Sequence, residues 1–448
     1  MTDASTSVPT AGHMMESARG EADDPSPAGN ASKYAEEHVP DCTAGEVDET
    51  TKGSTQAAGV EPMGVSAAPI HPLAAALEES APEPEDRFHR AKDRGFEGLN
   101  EHEWSGPWFF IQLADPQFGM WHDGIEQEMK MAQLAVDHIN RLQPKFVIVC
   151  GNLVNEFPKT PSKRSANLKR AEQQVGKFKS MMNLIDPQIP LVCMCGNHDV
   201  GELPDRASIK MYRSRFGDDY MEFWAGGSHC IVLNSSLHSA MEKSRTGEKE
   251  KIKQLAEEQD KWLDHVLGPS TFYHGAAALS SAVDPGPPRF VFSHIPPFIN
   301  EPDEPKGYFN LEPELRKPLL EKFKCAGVSK WFCGHYHRNA GGWDDQLEVV
   351  TTSAVGCVLP TRAGASKQQA LDISGIDWSL TSCSSKTSGL RCVCIAHDRF
   401  VHHKFFTLDS VPLDIDPSGR GPGWPASEAT LHGGSTCARQ CQAHCSVS

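Results

Sequence analysis

Long apolar runs are missing from this 448-residue chain. None approaches the ~18–20 residues that a helix needs to cross a bilayer, which excludes a helical membrane span. The opening Met-Thr-Asp-Ala-Ser-Thr has neither the basic nor the apolar segment of a secretory signal. Basic charge is scarce in residues 1–86, which hold 3 Lys/Arg against 17 Asp/Glu. Aromatics are nearly absent there too, with Tyr34 alone among the 35 of the whole chain. The net charge of -16 is therefore -14 in this segment and -2 in the remainder. A near-neutral body behind an acidic tail has no electrostatic footprint for DNA or RNA. No internal repeat occurs at solenoid or propeller spacing.

The 14 cysteines are enough for a disulfide framework, but their positions argue against one. Cys150, Cys193, Cys195, Cys230, Cys333, Cys392 and Cys394 sit in apolar, β-like runs, where free thiols behave as small buried hydrophobes. With no export signal, reduced cysteines and a soluble cytoplasmic protein are expected. At the far end, Cys437, Cys441 and Cys445 recur every fourth residue beside His444. That spacing reads as an exposed irregular tail, with metal binding or lipid attachment as the alternative.

What is present from about residue 87 onward is α/β order. Residues 1–86 are rich in Ala, Gly, Pro, Ser and Glu, too polar to repay ordering entropy, and a disordered acidic tail is expected. Trp108–Ala114 reads as a strand. Ile125, Met129, Ala132, Val136 and Ile139 step by four and three along one helical face, which Pro144 terminates. Lys145–Cys150 is a continuous apolar run suited to a strand buried on both faces. A helix over 167–185 and a strand over 189–195 follow. Further strands are expected at 230–233, 289–292, 331–333 and 347–352, with helices near 250–267 and 312–325. Residues 87–409 thus form one domain, interrupted by a low-complexity stretch at 361–389, and residues 410–448 form a flexible tail.

Polar side chains collect where these strands end, the place where α/β sheets put their sites. The first strand runs into Asp115-Pro-Gln117, the second into Gly151-Asn152, and the third into Gly196-Asn197-His198-Asp199. Later strands end in Ser293-His294 and Gly334-His335-Tyr336-His337. Singly, each has a plain reading: Asp-Pro-Gln and Gly-Asn are turn chemistry, and a lone histidine is more often a satisfied polar residue than a ligand. Five strand ends in chain order, each carrying carboxylate, amide or imidazole groups, describe a divalent metal site instead.

These motifs resemble the calcineurin-like metallophosphoesterase superfamily. Longer stretches resemble, within it, the family of calcineurin-like phosphoesterase domain-containing protein 1, a cytoplasmic serine/threonine-protein phosphatase group. They are Ala114–Gly119, Gly196–Gly201, Phe216–Tyr220, Ser293–Pro296 and Gly334–Gly342. The resemblance covers roughly residues 87–409 outside the 361–389 interruption. It implies two facing mixed β-sheets flanked by helices, with two divalent metals at one end, Mn, Fe, Zn or Mg among them. Asp115, Gln117, Asn152 and His337 would surround one metal, and Asn152, Asn197, His294 and His335 the other. A hydroxide held by the pair would attack phosphorus in line. His198 would stabilise charge or protonate the leaving oxygen, with Asp199 or another carboxylate orienting its ring, and Arg338 would contact phosphate. The implied partner is a phosphorylated protein, a protein kinase B-type kinase among the substrates.

One position departs from the pattern. The superfamily's second motif is Gly-Asp, its carboxylate shared by both metals, whereas here it is Gly151-Asn152. Gln117 is neutral as well, so Asp115 is the one formal anion among the expected ligands. The leading expectation is a metal-dependent phosphoprotein phosphatase. The alternatives are a phosphodiesterase or small-phosphate hydrolase, and a weakly active or inactive phosphoprotein-binding pseudophosphatase.

Overall fold

The computed structural model describes residues 86–121, 124–156, 164–243, 246–268 and 287–418. The acidic tail expected over 1–86 lies outside these residues except for Asp86, and so does the Cys437–Cys445 cluster.

The chain enters through a small hairpin, β1 (Ala91–Lys92) and β2 (Gly95–Phe96), and then lays down β3 (Trp108–Ala114). Next come α1 (Glu126–Leu142), β4 (Val147–Cys150), α2 (Arg164–Met182) and β5 (Leu191–Met194). After the short α3 (Asn197–Val200) and α4 (Arg206–Phe216) the chain starts a second sheet with β6 (Met221–Ala225) and β7 (Ser228–Leu233). Helices α5 (Ser235–Lys243) and α6 (Thr246–Leu267) precede β8 (Arg289–Ser293), α7 (Pro313–Cys325) and β9 (Val328–Cys333). The hairpin β10 (Ala340–Asp344) and β11 (Leu347–Thr351), the one-turn α8 (Lys367–Ala370), and the hairpin β12 (Gly389–Ile395) and β13 (Val401–Thr407) complete it.

Two mixed sheets result. One has the order β13-β12-β3-β4-β5, with β3, β4 and β5 parallel and the β12–β13 hairpin antiparallel at the edge. The other has the order β10-β11-β9-β8-β7-β6, with a parallel centre and an antiparallel strand at each edge. Side chains alternate between faces with period two. Along β3, Phe110 turns toward the second sheet, where it packs with Phe146, Phe290, Phe292 and Phe332, while Ile111 and Leu113 turn outward to α1 and α2. The second sheet's outer face carries Val291 and Trp331 against Leu319 and Phe323 of α7. Helix, sheet, sheet and helix therefore stack in four layers, the architecture the resemblance implies.

The gap between the sheets is not wholly apolar. Gln112 donates to the Cys333 carbonyl at 3.0 Å and accepts from Thr352 at 2.8 Å. Arg391 donates to that Thr352 hydroxyl at 2.7 Å and to His403 Nδ1 at 2.9 Å. His403 Nε2 lies 3.3 Å from Glu348, which pairs with Lys330 at 2.6 Å. Buried polar groups are tolerated because each finds a partner here.

The expected helices and strands appear within a few residues of their expected bounds. The edge hairpins β10–β11 and β12–β13 add strands at 340–344, 389–395 and 401–407 that periodicity did not single out. The 361–389 stretch is folded: Leu371 and Ile376 are buried with Ile299, Phe309 and Tyr336, and Ser366 caps α8 through a reciprocal bond with Gln369. Its Ser/Gly/Lys bias hides a few well-placed apolar anchors.

Candidate metal centre

The C-terminal ends of β3, β4 and β5 in one sheet and of β8 and β9 in the other meet at one end of the sandwich. The loops after β3 and β4 are zipped together, with Gln117 N–H donating to the Asn152 carbonyl at 2.8 Å and Asn155 N–H to the Phe118 carbonyl at 3.1 Å. The Gly334 amide donates across to the His294 carbonyl at 3.0 Å. Such close approach needs glycine: a Cβ on Gly151 would overlap the His294 ring, and one on Gly196 would overlap Asn152. Five of the expected ligands adopt left-handed backbone, with φ of 47° at Asp115, 40° at Gln117, 51° at Asn152, 67° at His335 and 55° at His337. Left-handed φ at non-glycine residues is uncommon and collects at functional sites.

Hydrogen bonds to carbonyl oxygens fix the histidine tautomers, because a carbonyl can only accept. His337 donates from Nδ1 to the Cys357 carbonyl at 2.6 Å, and His294 from Nδ1 to the Cys150 carbonyl at 2.8 Å. His335 donates from Nε2 to the Tyr308 carbonyl at 3.3 Å. Each ring therefore keeps one acceptor nitrogen, the arrangement in which backbone partners orient metal-binding imidazoles. His337 Nε2 then faces Asp115 Oδ1 at 3.4 Å and His294 Nε2 faces it at 3.8 Å. Lone pairs are thus aimed at lone pairs around a fully buried carboxylate. Burial pushes the His294 pKa down, which disfavours relieving the clash with a second ring proton. A cation between them resolves it.

The amides complete the donor set. Gln117 Nε2 donates to Asn155 Oδ1 at 3.0 Å, while Gln117 Oε1 is buried without a hydrogen-bond partner. Asn197 Nδ2 donates to Glu202 at 2.7 Å, turning Asn197 Oδ1 toward His294 Nε2 at 3.2 Å, again acceptor to acceptor. No metal site among the described residues is built from His, Cys, Asp and Glu alone, so each set needs an amide oxygen. Asp115, Gln117 and His337 can form one set, and Asn197, His294 and His335 the other. Burial works to raise the Asp115 carboxyl, but its interactions with the His337 and His294 rings outweigh it and hold Asp115 at about 2, so it is ionised.

The remaining expected residues fall in different places. His198 stands beside the first set, with Nε2 3.2 Å from Gln117 Nε2, and burial lowers its pKa to about 4. The expectation that Asp199 orients this ring is corrected: His198 Nδ1 donates to the Asn155 carbonyl at 2.6 Å. Asp199 instead accepts the Leu153 amide at 3.0 Å and the Gly196 amide at 2.8 Å, holding two strand-end loops together. Burial pushes Asp199 up to about 7 against those amides. Arg338 stacks on the Tyr336 ring at 3.8 Å and donates to Thr361 at 2.6 Å, with Nη2 buried and lacking a hydrogen-bond partner. Asp219, within one of the resemblance motifs, is fully buried among Arg213, Arg94 and Asn234 and braces α4 rather than the site.

A metallophosphoesterase family model, "Calcineurin-like phosphoesterase", matches residues 110–339. "Serine/threonine-protein phosphatase CPPED1" of Danio rerio is 36% identical over 343 residues, covering 73% of this chain and 94% of the relative. The Homo sapiens protein of that name is 35% identical over 349 residues, covering 74% and 95%. The chain belongs to the calcineurin-like phosphoesterase family. It is a metal-dependent phosphoesterase, and the family implies divalent metal ions, typically two. A dimetal phosphatase from Danio rerio is similar at 15% identity, with a TM-score of 0.38 over 55% of this chain and 88% of that one. Among the described residues no helix is long and apolar enough to cross a membrane.

Three functional neighbours escaped the sequence reading. Glu202, five residues past Asn197, had a local signal in the Gly196–Gly201 motif that it follows. Asn155 had only its place in a strand-end loop. Tyr308, on the loop between β8 and α7, had none.

Proposed function

We propose that this phosphoesterase is a serine/threonine phosphoprotein phosphatase acting in the cytoplasm. The observation that carries a hydrolytic centre is the convergence of acceptor atoms on Asp115 Oδ1, with the unpartnered Gln117 Oε1 beside them. Substrate class comes from similarity to the relatives named serine/threonine-protein phosphatases. A protein kinase B-type kinase is the substrate to try first, on the resemblance in the motifs.

Divalent metal held by the two donor sets supplies positive charge for the phosphoryl oxygens and lowers the pKa of water there. Around it, Asp115 contributes the anionic ligand, and the carbonyls of Cys150, Cys357 and Tyr308 keep the imidazoles in register. His198, neutral and steered by Asn155, holds Nε2 beside the first donor set, 3.2 Å from Gln117 Nε2. An arriving phosphate dianion raises its pKa, so that it can hold a proton for the leaving serine or threonine oxygen. Arg338 offers its unpartnered Nη2–H to phosphate. Free thiols at all ten described cysteines support a reducing compartment.

The test is hydrolysis of a phosphoserine peptide beside bis(p-nitrophenyl) phosphate, each at matched metal loading. Preference for the peptide monoester supports the reading. Preference for the diester favours a phosphodiesterase, and hydrolysis of neither with tight phosphopeptide binding favours a pseudophosphatase.

A further inference from the structure

Residue 152 sits where both donor sets need a common ligand, and its two ends can be told apart. The backbone amide of His198 lies 3.1 Å from one end and can only donate, so that end is Oδ1. The other end is therefore Nδ2, and it donates to Asp115 Oδ1 at 3.1 Å. Asn152 Oδ1 packs against Gly196, which has no room for a Cβ beside it. Asn152 is 1% exposed, so its NH2 group has no water to turn to.

We infer that Asn152 is a hydrogen-bond donor inside the metal centre and not a shared ligand, so that the two metal positions differ in affinity. The position formed by Asp115, Gln117 and His337 fills first. It has the site's anion and an amide oxygen with no other partner. The position formed by Asn197, His294 and His335 has three neutral donors and no anion of its own. A second dication ~4 Å from the first is repelled by it, with no shared carboxylate to offset the repulsion. The same geometry favours the metal-free protein. A carboxylate at residue 152 would stand 3.1 Å from that of Asp115, whereas the amide replaces repulsion by a hydrogen bond. This inference rests on the phosphoesterase reading of the site, but every readout below is independent of turnover.

The experiment uses the full chain, stripped with chelator and titrated with Mn²⁺. Bound metal is counted by elemental analysis and free Mn²⁺ by electron paramagnetic resonance. The natural sequence should bind one Mn²⁺ tightly and a second at least ~10-fold more weakly. Asn152→Asp should bring the two affinities together and raise occupancy to two per chain. In chelator, Asn152→Asp should melt below the natural protein, and Mn²⁺ should raise its Tm by more. Asn152→Ala is the control for folding and for ligation. It should keep the tight site within ~3-fold, whereas an asparagine that ligates through Oδ1 would cost at least ~10-fold when removed. Two equally tight Mn²⁺ ions in the natural sequence, or a tight site lost in Asn152→Ala, overturns the inference. One tight metal with no hydrolysis of any phosphoester would leave it standing and remove the phosphatase reading instead.

Discussion

The two sheets contribute different chemistry to the same point. The β3-β4-β5 side delivers oxygen donor atoms, from Asp115, Gln117 and Asn197. The β8-β9 side delivers nitrogen donor atoms, from His294, His335 and His337. Oxygen donors follow strands whose loops are short and zipped to each other, while the imidazoles hang from backbone carbonyls of neighbouring loops. Neither sheet holds a complete set, because Asp115 needs His337 and Asn197 needs His294. Assembly of the centre therefore reports on the docking of one sheet against the other.

Changing the oxygen side should have the largest effect. Asp115→Asn removes the formal anion and is expected to lower turnover on the order of 10⁴-fold, with metal content falling in elemental analysis. His198→Ala should lower kcat by ~10²–10⁴-fold while metal content stays within error, since the ring stands beside the ligands. Loss of metal in that variant would move His198 into the donor set. On the nitrogen side, His294→Ala should weaken metal binding by ~10–100-fold, measured by titration of the stripped protein. Equal metal binding by that variant and the natural chain would remove the second sheet from the centre.

The smallest effect is expected where the sheets are tied away from the metals. Burial works to raise Glu348, but His403 of the first sheet and Lys330 of the second outweigh it and bring its pKa down to about 2. A depressed carboxyl stabilises the fold above its unfolded pKa of ~4.3, and the contribution is lost as pH falls toward 2. Glu348→Gln should cost about 2 kcal/mol at neutral pH and flatten the acid limb of stability between about 4 and 2. An unchanged acid limb in thermal melts would show that the tie does not couple the sheets.

Much of this was legible beforehand because strand-end motifs are contiguous in sequence. Asp115, Asn197, His294 and the His335/His337 pair could be named, since each stands just past the end of an apolar run. The partners that orient them could not, because a backbone carbonyl such as Cys357 O carries no residue-type signal. Asp199 misled for a related reason: its place beside His198 says nothing of where its carboxylate turns, and the Leu153 and Gly196 amides claim it. The low-complexity composition of 361–389 carried no sign of how it packs, because a few anchors such as Leu371 and Ile376 suffice when the receiving surface is already formed by Phe309 and Tyr336. The direction of the Asn152 amide depends on an amide 46 residues away in sequence and was out of reach.

The left-handed residues also divide the molecule for anyone wishing to make it hardier. Asp93, Arg94, Gln143, Asp345 and Arg399 share the positive φ of the five site residues but sit in turns or at a helix end. Glycine at such positions relieves the penalty on a side-chain-bearing residue, and Gln143→Gly, at the C-terminus of α1, is expected to gain ~0.5–1 kcal/mol. At Asp115, Gln117, Asn152, His335 and His337 the same relief would cost the group that the bend exists to aim. Thermostabilisation and metal chemistry thus pull on one conformational feature in opposite directions, and position alone decides which of them a glycine serves.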